Sequence, residues 1–175
     1  QLIDWNALER ALAGRVSDMA SIIIPVLNLP ELTENCVRSI LSHAGRAPFE
    51  IVLVDNGSHE QTQDALQALA AADGRVRVVR NAENLMFALG NNLGVAAARG
   101  EFIVLLNNDT LVTAGWLDAL LAPLQGNAAV GMTGPRLLFQ DGTVQSAGLA
   151  FSDRSQLPYH IYLGFPGEAA CVNKP

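Results

Sequence analysis

Cysteine is scarce in this chain of 175 residues, which contains only Cys36 and Cys171. Two cysteines are too few for a disulfide framework, and neither belongs to a Cys/His pattern with zinc-site spacing. We therefore expect both to be reduced thiols. No apolar run approaches the roughly 18 residues of a membrane span, and no signal-peptide pattern opens the chain at Gln1. The sequence thus predicts no membrane-spanning helix.

Positive charge is also scarce. The chain has 11 Lys and Arg against 17 Asp and Glu, which gives a formal net charge of −6. This balance argues against a nucleic-acid partner, whose backbone requires a basic surface. An anionic ligand would need local help from a metal ion, helix N-termini or a few well-placed cations. Hydrophobic residues make up 50% of the chain, enough for the core of one domain or of a large fragment of one.

Several nucleotide-binding and catalytic motifs are missing. There is no Gly-Lys-Ser/Thr P-loop and no Gly-x-Gly-x-x-Gly after the first apolar run. The sequence therefore gives little evidence for binding of ATP or a nicotinamide cofactor. A Gly-x-Ser-x-Gly nucleophile elbow is absent as well. The three histidines, His43, His59 and His160, are isolated from one another. We interpret each as a surface or structural residue.

The regular feature of the chain is an alternation of apolar β-rich runs with helical patterns. A helical pattern over 4–13 precedes it. The continuous apolar runs are typical of strands buried on both faces, and they cover 20–26, 49–54, 76–79 and 102–106. Pro30 suits a first helical turn, Ser58 to Gln61 resembles a capping box, and Gly100 is predicted to end a helix.

Beyond residue 130 the pattern changes to short alternating runs. Segments 130–139 and 143–151 flank Asp141-Gly142, a strong hairpin signal. We therefore predict an α/β fold with an open, mainly parallel, Rossmann-like sheet, helices on both faces and an appended β-hairpin. The predicted organisation is a leading helix or linker over 1–18, one domain over 19–151 and the start of another region over 152–175.

Polar residues follow each predicted strand, where an open parallel sheet binds its ligands. They are Asn28, Asp55, Asn81 and the run 107–109. Any one of them could be a turn or capping residue. Four on the same edge are better explained by a shared ligand. Because Ser58 already supplies the predicted cap, Asp55 is left free to accept hydrogen bonds from a base or ribose.

The run Asn107-Asn108-Asp109 suggests a metal site. A carboxylate and an amide oxygen two residues apart can both bind a hard divalent cation, Mn²⁺ or Mg²⁺, together with a diphosphate. Asp109 would be the main ligand and Asn107 a weaker, neutral one. Such a cation would stabilise a departing nucleoside diphosphate. A simple turn into the next helix remains the alternative for this run.

Four segments carry a family resemblance: SIIIPVLN (21–28), EIVLVDNGSHEQT (50–62), NAENLMFALGNNLGVAAARGEFIVLLNNDT (81–110) and VGMTGPRLLFQDGTVQSAGLAF (130–151). Together, and in this order, they resemble the family 2 inverting glycosyltransferases over about residues 19–151. The last segment resembles members that build bacterial surface polysaccharides. The resemblance implies the GT-A fold, a nucleoside diphosphate sugar donor and a divalent metal.

The resemblance also implies roles for individual residues. Pro25 and Asn28 match the wall of the nucleotide pocket, and Asp55 matches the acid that contacts the base. Asn92, with Gly94, matches an Asn-x-Gly pair at the donor site, and Asn91 replaces a residue that is basic in many members. Asn107 and Asp109 match the Asp-x-Asp motif, with the first acid replaced as in polysaccharide and rhamnosyl-type members. The full candidate set at the donor site is Pro25, Asn28, Asp55, Asn81, Asn91, Asn92, Asn107 and Asn108, with Asp109 and Asn107 at the metal.

No catalytic base is found within the chain. The resemblance places it in the second half of the domain, so we expect it beyond Pro175 and expect the fragment alone to be inactive. Residues 152–175 would then be the truncated start of the acceptor-side region. Asp141 fits a turn and Asp153 a loop. The acceptor would be a saccharide or a lipid-linked molecule, and the location cytoplasmic, with peripheral attachment at the inner face of the cell membrane left open.

Two other functions compete with this one. In a non-catalytic nucleotide-sugar-binding or scaffold domain, Asn107 would mark a decayed metal site. In a nucleotidyltransferase on a similar sheet, a Gly-rich loop bearing Arg or Lys would follow the first strand, and the segment 27–30 is unlike it. Metal dependence of nucleotide binding separates the enzyme from the scaffold.

Overall fold

The computed structural model describes residues 13–152, 154 and 156–172. They form two compact units, one up to Asp118 and one from Ala119 onwards. Nearly all of the leading helix predicted over 4–13 lies outside the described residues, as does Asp153. The predicted domain limits at 18/19 and 151/152 stay predictions. No described helix is long and apolar enough to cross a membrane.

The first unit is built on a four-stranded parallel sheet, as the alternation of apolar runs predicted. Its spatial order is β3-β2-β1-β4. The strands are β1 (Val16–Val26), β2 (Phe49–Asn56), β3 (Val76–Asn81) and β4 (Gly100–Leu105). All eight residues of β2 are buried, which explains its unbroken apolar run.

Three helices connect these strands, namely α1 (Pro30–His43), α2 (Glu60–Ala72) and α3 (Met86–Ala97). A further helix, α4 (Trp116–Gly126), follows β4 in the chain. Ile23, Val52 and Val54 form a buried cluster, and residues of α3 such as Leu93 and Val95 pack against it. Successive side chains in a strand point to opposite faces. The buried neighbours of Ile23 in β1, Ile22 and Ile24, therefore point away from α3.

Gly100 does not cap a helix, so that prediction was wrong. It is the first residue of β4, and α3 ends three residues earlier at Ala97. A Cβ at Gly100 would lie 2.5 Å from the Met19 carbonyl oxygen. Glycine is needed here for close approach of two strands rather than for a helix end.

The predicted capping box at Ser58 was also wrong. The helix begins at Glu60 with His59 as its N-cap, and His59 makes no side-chain capping bond. The Ser58 hydroxyl instead accepts the Asn28 N–H at 2.9 Å. The Ser58 side chain therefore connects the loops after β1 and β2 and does not provide the helix cap that the local pattern had predicted.

The second unit contains two small hairpins instead of the single long one predicted. The turn at Asp141-Gly142 is confirmed: Asp141 accepts the Thr143 N–H at 2.9 Å, and Gly142 has φ +82°. The strands beside it are short, β5 (Leu137–Leu138) and β6 (Val144–Ser146). A second hairpin pairs β7 (Leu149–Phe151) with β8 (Pro158–His160).

Candidate functional site at the carboxyl ends of the strands

The strand order reverses between β1 and β4. The chain runs outward from β1 through β2 to β3 and then returns to place β4 on the other side of β1. In open parallel sheets, ligands bind outside the carboxyl ends of the strands, at the point of reversal. The polar residues singled out in the sequence follow these strand ends.

Asp55 lies at the end of β2 and is only 1% exposed. Its Oδ1 accepts the Ser58 N–H at 2.8 Å, and its Oδ2 lies 3.7 Å from Nε of Arg80. The carboxylate therefore has a structural role in the β2–α2 turn. The argument that Ser58 left Asp55 without one was wrong, because the Ser58 side chain is bonded to Asn28. The contacts with the Ser58 N–H and Arg80 fix the orientation of the Asp55 carboxylate.

Asn28 joins the first two strand-end loops. Its Oδ1 accepts the His59 N–H at 2.9 Å, and it has a left-handed backbone with φ 59°, followed by Leu29 at φ 54°. Left-handed geometry is uncommon for residues other than glycine and points to a constrained turn. A cavity of about 410 Å³ opens beside this turn, lined by residues 28–32 with His59, Gln61 and Thr62.

Asn81 takes part in an amide network that the sequence did not reveal. Its Nδ2 donates to Oδ1 of Asn56 at 2.9 Å, and Nδ2 of Asn56 donates to the Met86 carbonyl at 3.2 Å. Asn56 is 4% exposed. Asp55 and Asn56 are adjacent at the end of β2. Period-2 alternation sends the two side chains to opposite faces of the sheet, and only Asn56 reaches α3.

Asn91 and Asn92 lie on α3 in different surroundings. Asn91 is 5% exposed, and its Nδ2 donates to the Phe87 carbonyl one turn earlier at 2.9 Å. Its Oδ1 is buried with no hydrogen-bond partner in the described part of the chain. A buried acceptor without a partner is rare in folded proteins. Asn92 is exposed.

The side chains of residues 107–109 alternate in their exposure. Asn107 and Asp109 are exposed, whereas Asn108 is half-buried and its Nδ2 donates to the Thr33 hydroxyl of α1 at 3.1 Å. Cys36 of α1 donates its thiol hydrogen to the Asn107 carbonyl at 3.7 Å. The two candidate metal ligands thus point outward while the residue between them is held against the helix.

The thiol of Cys36 lies close to the loop that contains residues 107–110. Burial raises the pKa of the Cys36 thiol to about 12, the Thr110 N–H partly opposes this, and the negative charge of Asp109 raises it further. Asp109 therefore acts electrostatically on the first half of α1. Cys36 itself is fully buried and protonated at neutral pH, so it is not a nucleophile.

The donor set at Asp109 and Asn107 fits one kind of metal site. Among the described residues, no group of three or more His, Cys, Asp or Glu side chains is placed to hold a metal. One exposed carboxylate and one exposed amide cannot form a complete cage. They suit Mg²⁺ or Mn²⁺, which commonly takes one or two protein oxygens and fills its shell with phosphate and water.

Comparison with known proteins identifies the family of this chain. Residues 21–165 match the family model described as Glycosyl transferase family 2. The chain belongs to glycosyltransferase family 2. The match begins within β1 and continues past β4, so it includes every candidate residue from Pro25 to Asp109.

Relatives of this family member include two bacterial proteins. The O-antigen biosynthesis protein RfbC of Myxococcus xanthus is 35% identical over 136 residues, 77% of this chain and 10% of that protein. The putative teichuronic acid biosynthesis glycosyltransferase TuaG of Bacillus subtilis is 30% identical over 126 residues, 71% of this chain and 50% of that protein. The chain therefore spans half or less of the length of either relative.

A solved structure supports the GT-A fold. The mannosyltransferase PcManGT from Pyrobaculum calidifontis, in complex with GDP-Man and Mn²⁺, superposes with a TM-score of 0.57 at 21% identity. The alignment covers 73% of this chain and 40% of that one. At this identity the likeness concerns the fold, a parallel sheet with helices around it.

Proposed function

We propose that this glycosyltransferase family 2 chain binds the donor in the transfer of a sugar from a nucleoside diphosphate sugar to an acceptor hydroxyl, with inversion. The observation that carries this proposal is the outward placement of Asn107 and Asp109 at the end of β4. Beside the strand-order reversal, an exposed carboxylate and amide are suited to a metal-bound diphosphate.

Asp109 and Asn107 would hold Mn²⁺ or Mg²⁺. When bound, such a cation neutralises the charge that develops on the departing diphosphate. The similar fold of a mannosyltransferase solved with GDP-Man and Mn²⁺ supports a donor and a metal of this class. The chain as a whole has a net charge of −6, so a bound cation would also reduce its repulsion of a diphosphate.

The remaining candidates would bind the nucleoside and the sugar. Pro25, Asn28 and Asp55 would form the wall nearest the base of the nucleotide. The Asp55 carboxylate would accept hydrogen bonds from the N–H groups of that base. The unpaired Oδ1 of Asn91 would accept a hydroxyl of the donor, which removes the cost of an unsatisfied buried acceptor. Asn81, Asn92 and Asn108 would line or brace the same region.

We assign no catalytic base to this chain. Asp141 is bonded to the Thr143 N–H and hydroxyl at 2.9 and 2.7 Å, which suits a turn. In an inverting transfer the carboxylate of an acidic residue takes the proton of the acceptor hydroxyl. The acceptor oxygen bonds to the anomeric carbon as the nucleoside diphosphate leaves, through an oxocarbenium-like transition state. We propose that this acid is contributed from outside residues 1–175 and that the chain alone binds the donor without turnover.

The names of two relatives support a proposal for the acceptor and the setting. One is described as acting in O-antigen biosynthesis and one in teichuronic acid biosynthesis, both as their names state. We propose a role in cell-surface polysaccharide synthesis, with a hexosyl or rhamnosyl donor and a saccharide or lipid-linked acceptor. The chain would act in the cytoplasm, where fractionation of cells tests peripheral attachment to the membrane.

Calorimetric titration of the chain with GDP, UDP and dTDP, with and without Mn²⁺, tests the donor site. We expect one nucleotide to bind at least roughly tenfold more tightly with Mn²⁺. Asp109→Asn should abolish this gain while the circular dichroism spectrum stays unchanged. Asp64→Asn, which alters an exposed carboxylate on α2, is the matched control. Binding that is indifferent to Mn²⁺ and to Asp109→Asn would instead support a non-catalytic scaffold.

A further inference from the structure

The loop between β4 and α4, residues 106–115, is attached along one side of α1. Four residues of α1 contact it, each through a hydrogen bond. The pairs are Thr33 with Asn108, Cys36 with Asn107, Ser39 with Val112, and His43 with Gly115. Residues spaced three or four apart share one face of a helix. This face of α1 therefore positions the loop that carries Asp109.

The pair of Thr33 and Asn108 differs from the other three. The other contacts reach backbone groups of the loop: the Asn107 carbonyl, the Val112 N–H and the Gly115 N–H. Any residue other than proline would present the same group at those loop positions. Only the pair of Thr33 and Asn108 joins two side chains, with 3.1 Å between Nδ2 and Oγ1. This contact depends on the identity of both residues.

The position of this pair matters for the residues on either side of Asn108. Thr33 is fully buried in the first turn of α1, so the position of its hydroxyl is fixed by the surrounding packing. Asn108 is held inward by that hydroxyl, and its two neighbours are exposed. Residues 107–110 form a turn closed by the Thr110 N–H, which donates to the Asn107 carbonyl at 3.3 Å. Because the backbone of such a turn is constrained, fixing the Asn108 side chain also fixes the directions of the two neighbouring side chains.

We propose that Thr33 is a positioning residue for the metal-binding carboxylate of Asp109. Its hydroxyl holds the amide of Asn108 and so sets the direction of the Asn107 and Asp109 side chains. This inference rests on the proposed metal site of the donor-binding chain. Partners behind the ligands of metal sites commonly contribute to affinity by fixing the orientation of those ligands. Thr33 would do so without touching the metal.

The test compares Mn²⁺ affinity in Thr33→Val and Thr33→Ser. Valine keeps the shape and removes the hydroxyl, whereas serine keeps the hydroxyl. Free Mn²⁺ is measured by electron paramagnetic resonance, in the presence of whichever nucleoside diphosphate binds the wild-type chain. We expect Thr33→Val to weaken Mn²⁺ binding by roughly tenfold and Thr33→Ser to restore it to within about twofold. Equal weakening in both variants would overturn the role of the hydroxyl.

Ser39→Ala is the matched control. It removes the bond to the Val112 N–H, which attaches the same loop to the same helix beyond Asp109. We expect it to lower the urea midpoint of unfolding while Mn²⁺ affinity stays within about twofold of wild type. If Ser39→Ala weakens Mn²⁺ binding as much as Thr33→Val, general loosening of the loop explains the effect and the inference fails.

Asn108→Ala removes the same bond from the loop side and leaves α1 intact, so it serves if Thr33→Val folds poorly. Its loss should equal that of Thr33→Val, and the double variant should show no further loss. Asp109→Asn distinguishes the hypothesis of a metal site at Asp109 from the hypothesis that Thr33 positions it. If it abolishes Mn²⁺ binding while Thr33→Val and Asn108→Ala do not, the positioning role is wrong and the metal site stands. If it leaves binding intact, the metal site itself is wrong.

Discussion

The backbone of Gly94 in α3 lies directly on the side chain of Ile23 in β1. A Cβ at Gly94 would overlap Cγ2 of Ile23 and lie 3.0 Å from Cγ2 of Val54. One turn earlier, a Cβ at Gly90 would lie 2.6 Å from Nδ2 of Asn56. These two glycines let α3 approach the carboxyl ends of β1 and β2 closely, which places Asn91 and Asn92 beside the strand ends.

Gly94→Ala should therefore destabilise the protein. Alanine is the better helix former by about 1 kcal/mol, but the overlap forces the helix or Ile23 to move. We expect a net loss of about 1–3 kcal/mol in the free energy of unfolding, measured with urea. Gly74→Ala is the control, because a Cβ there meets nothing within 4 Å. A neutral or stabilising Gly94→Ala would show that the helix can shift outward without cost.

Glu50 provides a test of pH dependence. This side chain is 4% exposed. Its Oε2 accepts a hydrogen bond from Nε–H of Arg77 at 2.9 Å. Its Oε1 accepts hydrogen bonds from the Ser21 hydroxyl and the Arg99 N–H, both at 2.7 Å. Burial opposes ionisation, but these hydrogen bonds hold the pKa of Glu50 below its ordinary value of 4.5. Since the folded pKa is the lower one, its stabilisation is complete above pH 4.5 and is lost as pH falls through the folded pKa.

Glu50→Gln should thus cost about 1.5–3 kcal/mol at pH 7 and progressively less below pH 4.5. The measurement is urea unfolding of wild type and variant from pH 7 to pH 3. Glu83→Gln, at an exposed loop position, should leave the whole curve unchanged. Parallel curves for wild type and Glu50→Gln would contradict the role of Glu50 in acid sensitivity.

The two cysteines should differ in reactivity. Burial is the main reason that the pKa of Cys36 rises to about 12, so its thiolate fraction near neutral pH falls on the order of a thousandfold below that of an ordinary cysteine. Cys171 is only half-buried. Iodoacetamide at pH 8, followed by mass spectrometry of peptides, should label Cys171 first. In urea both should react at similar rates; equal rates in the native protein would argue against the burial of Cys36.

Met86 begins α3 with a left-handed backbone, φ 60°, and its side chain is 71% exposed. Its N–H is accepted by Oδ1 of Asn84 at 2.8 Å, which holds this conformation. Met86→Gly should raise the free energy of unfolding by about 0.5–1 kcal/mol, because glycine removes the steric cost and no packed side chain is lost. Phe87→Gly, at the next helical position, should lower it by a similar amount. Thermal unfolding of both variants compares them, and a destabilising Met86→Gly would contradict the strain.

The sheet could be predicted because its information is local. The apolar runs of β1 and β2 indicated strands buried on both faces, and alternation with helical patterns implied parallel pairing. The turn at Asp141-Gly142 was likewise recognisable from two residues. The features that could not be predicted were the hydrogen-bond partners of individual side chains. Ser58 satisfied a local capping pattern yet bonds Asn28, 30 residues away in the chain.

By itself, the sequence determined which segments become strands and helices, that polar side chains follow the strand ends, and that the chain resembles family 2 glycosyltransferases. These properties depend on periodicity, turn chemistry and composition within short windows. Only the tertiary structure decided that Asn56 reaches α3 while Asp55 faces the other way, and that Asn108 is bound to Thr33 while Asp109 is exposed. The reason is that a hydrogen-bonding side chain takes whichever partner the packed strands and helices bring within reach, and that partner lies far away in the sequence.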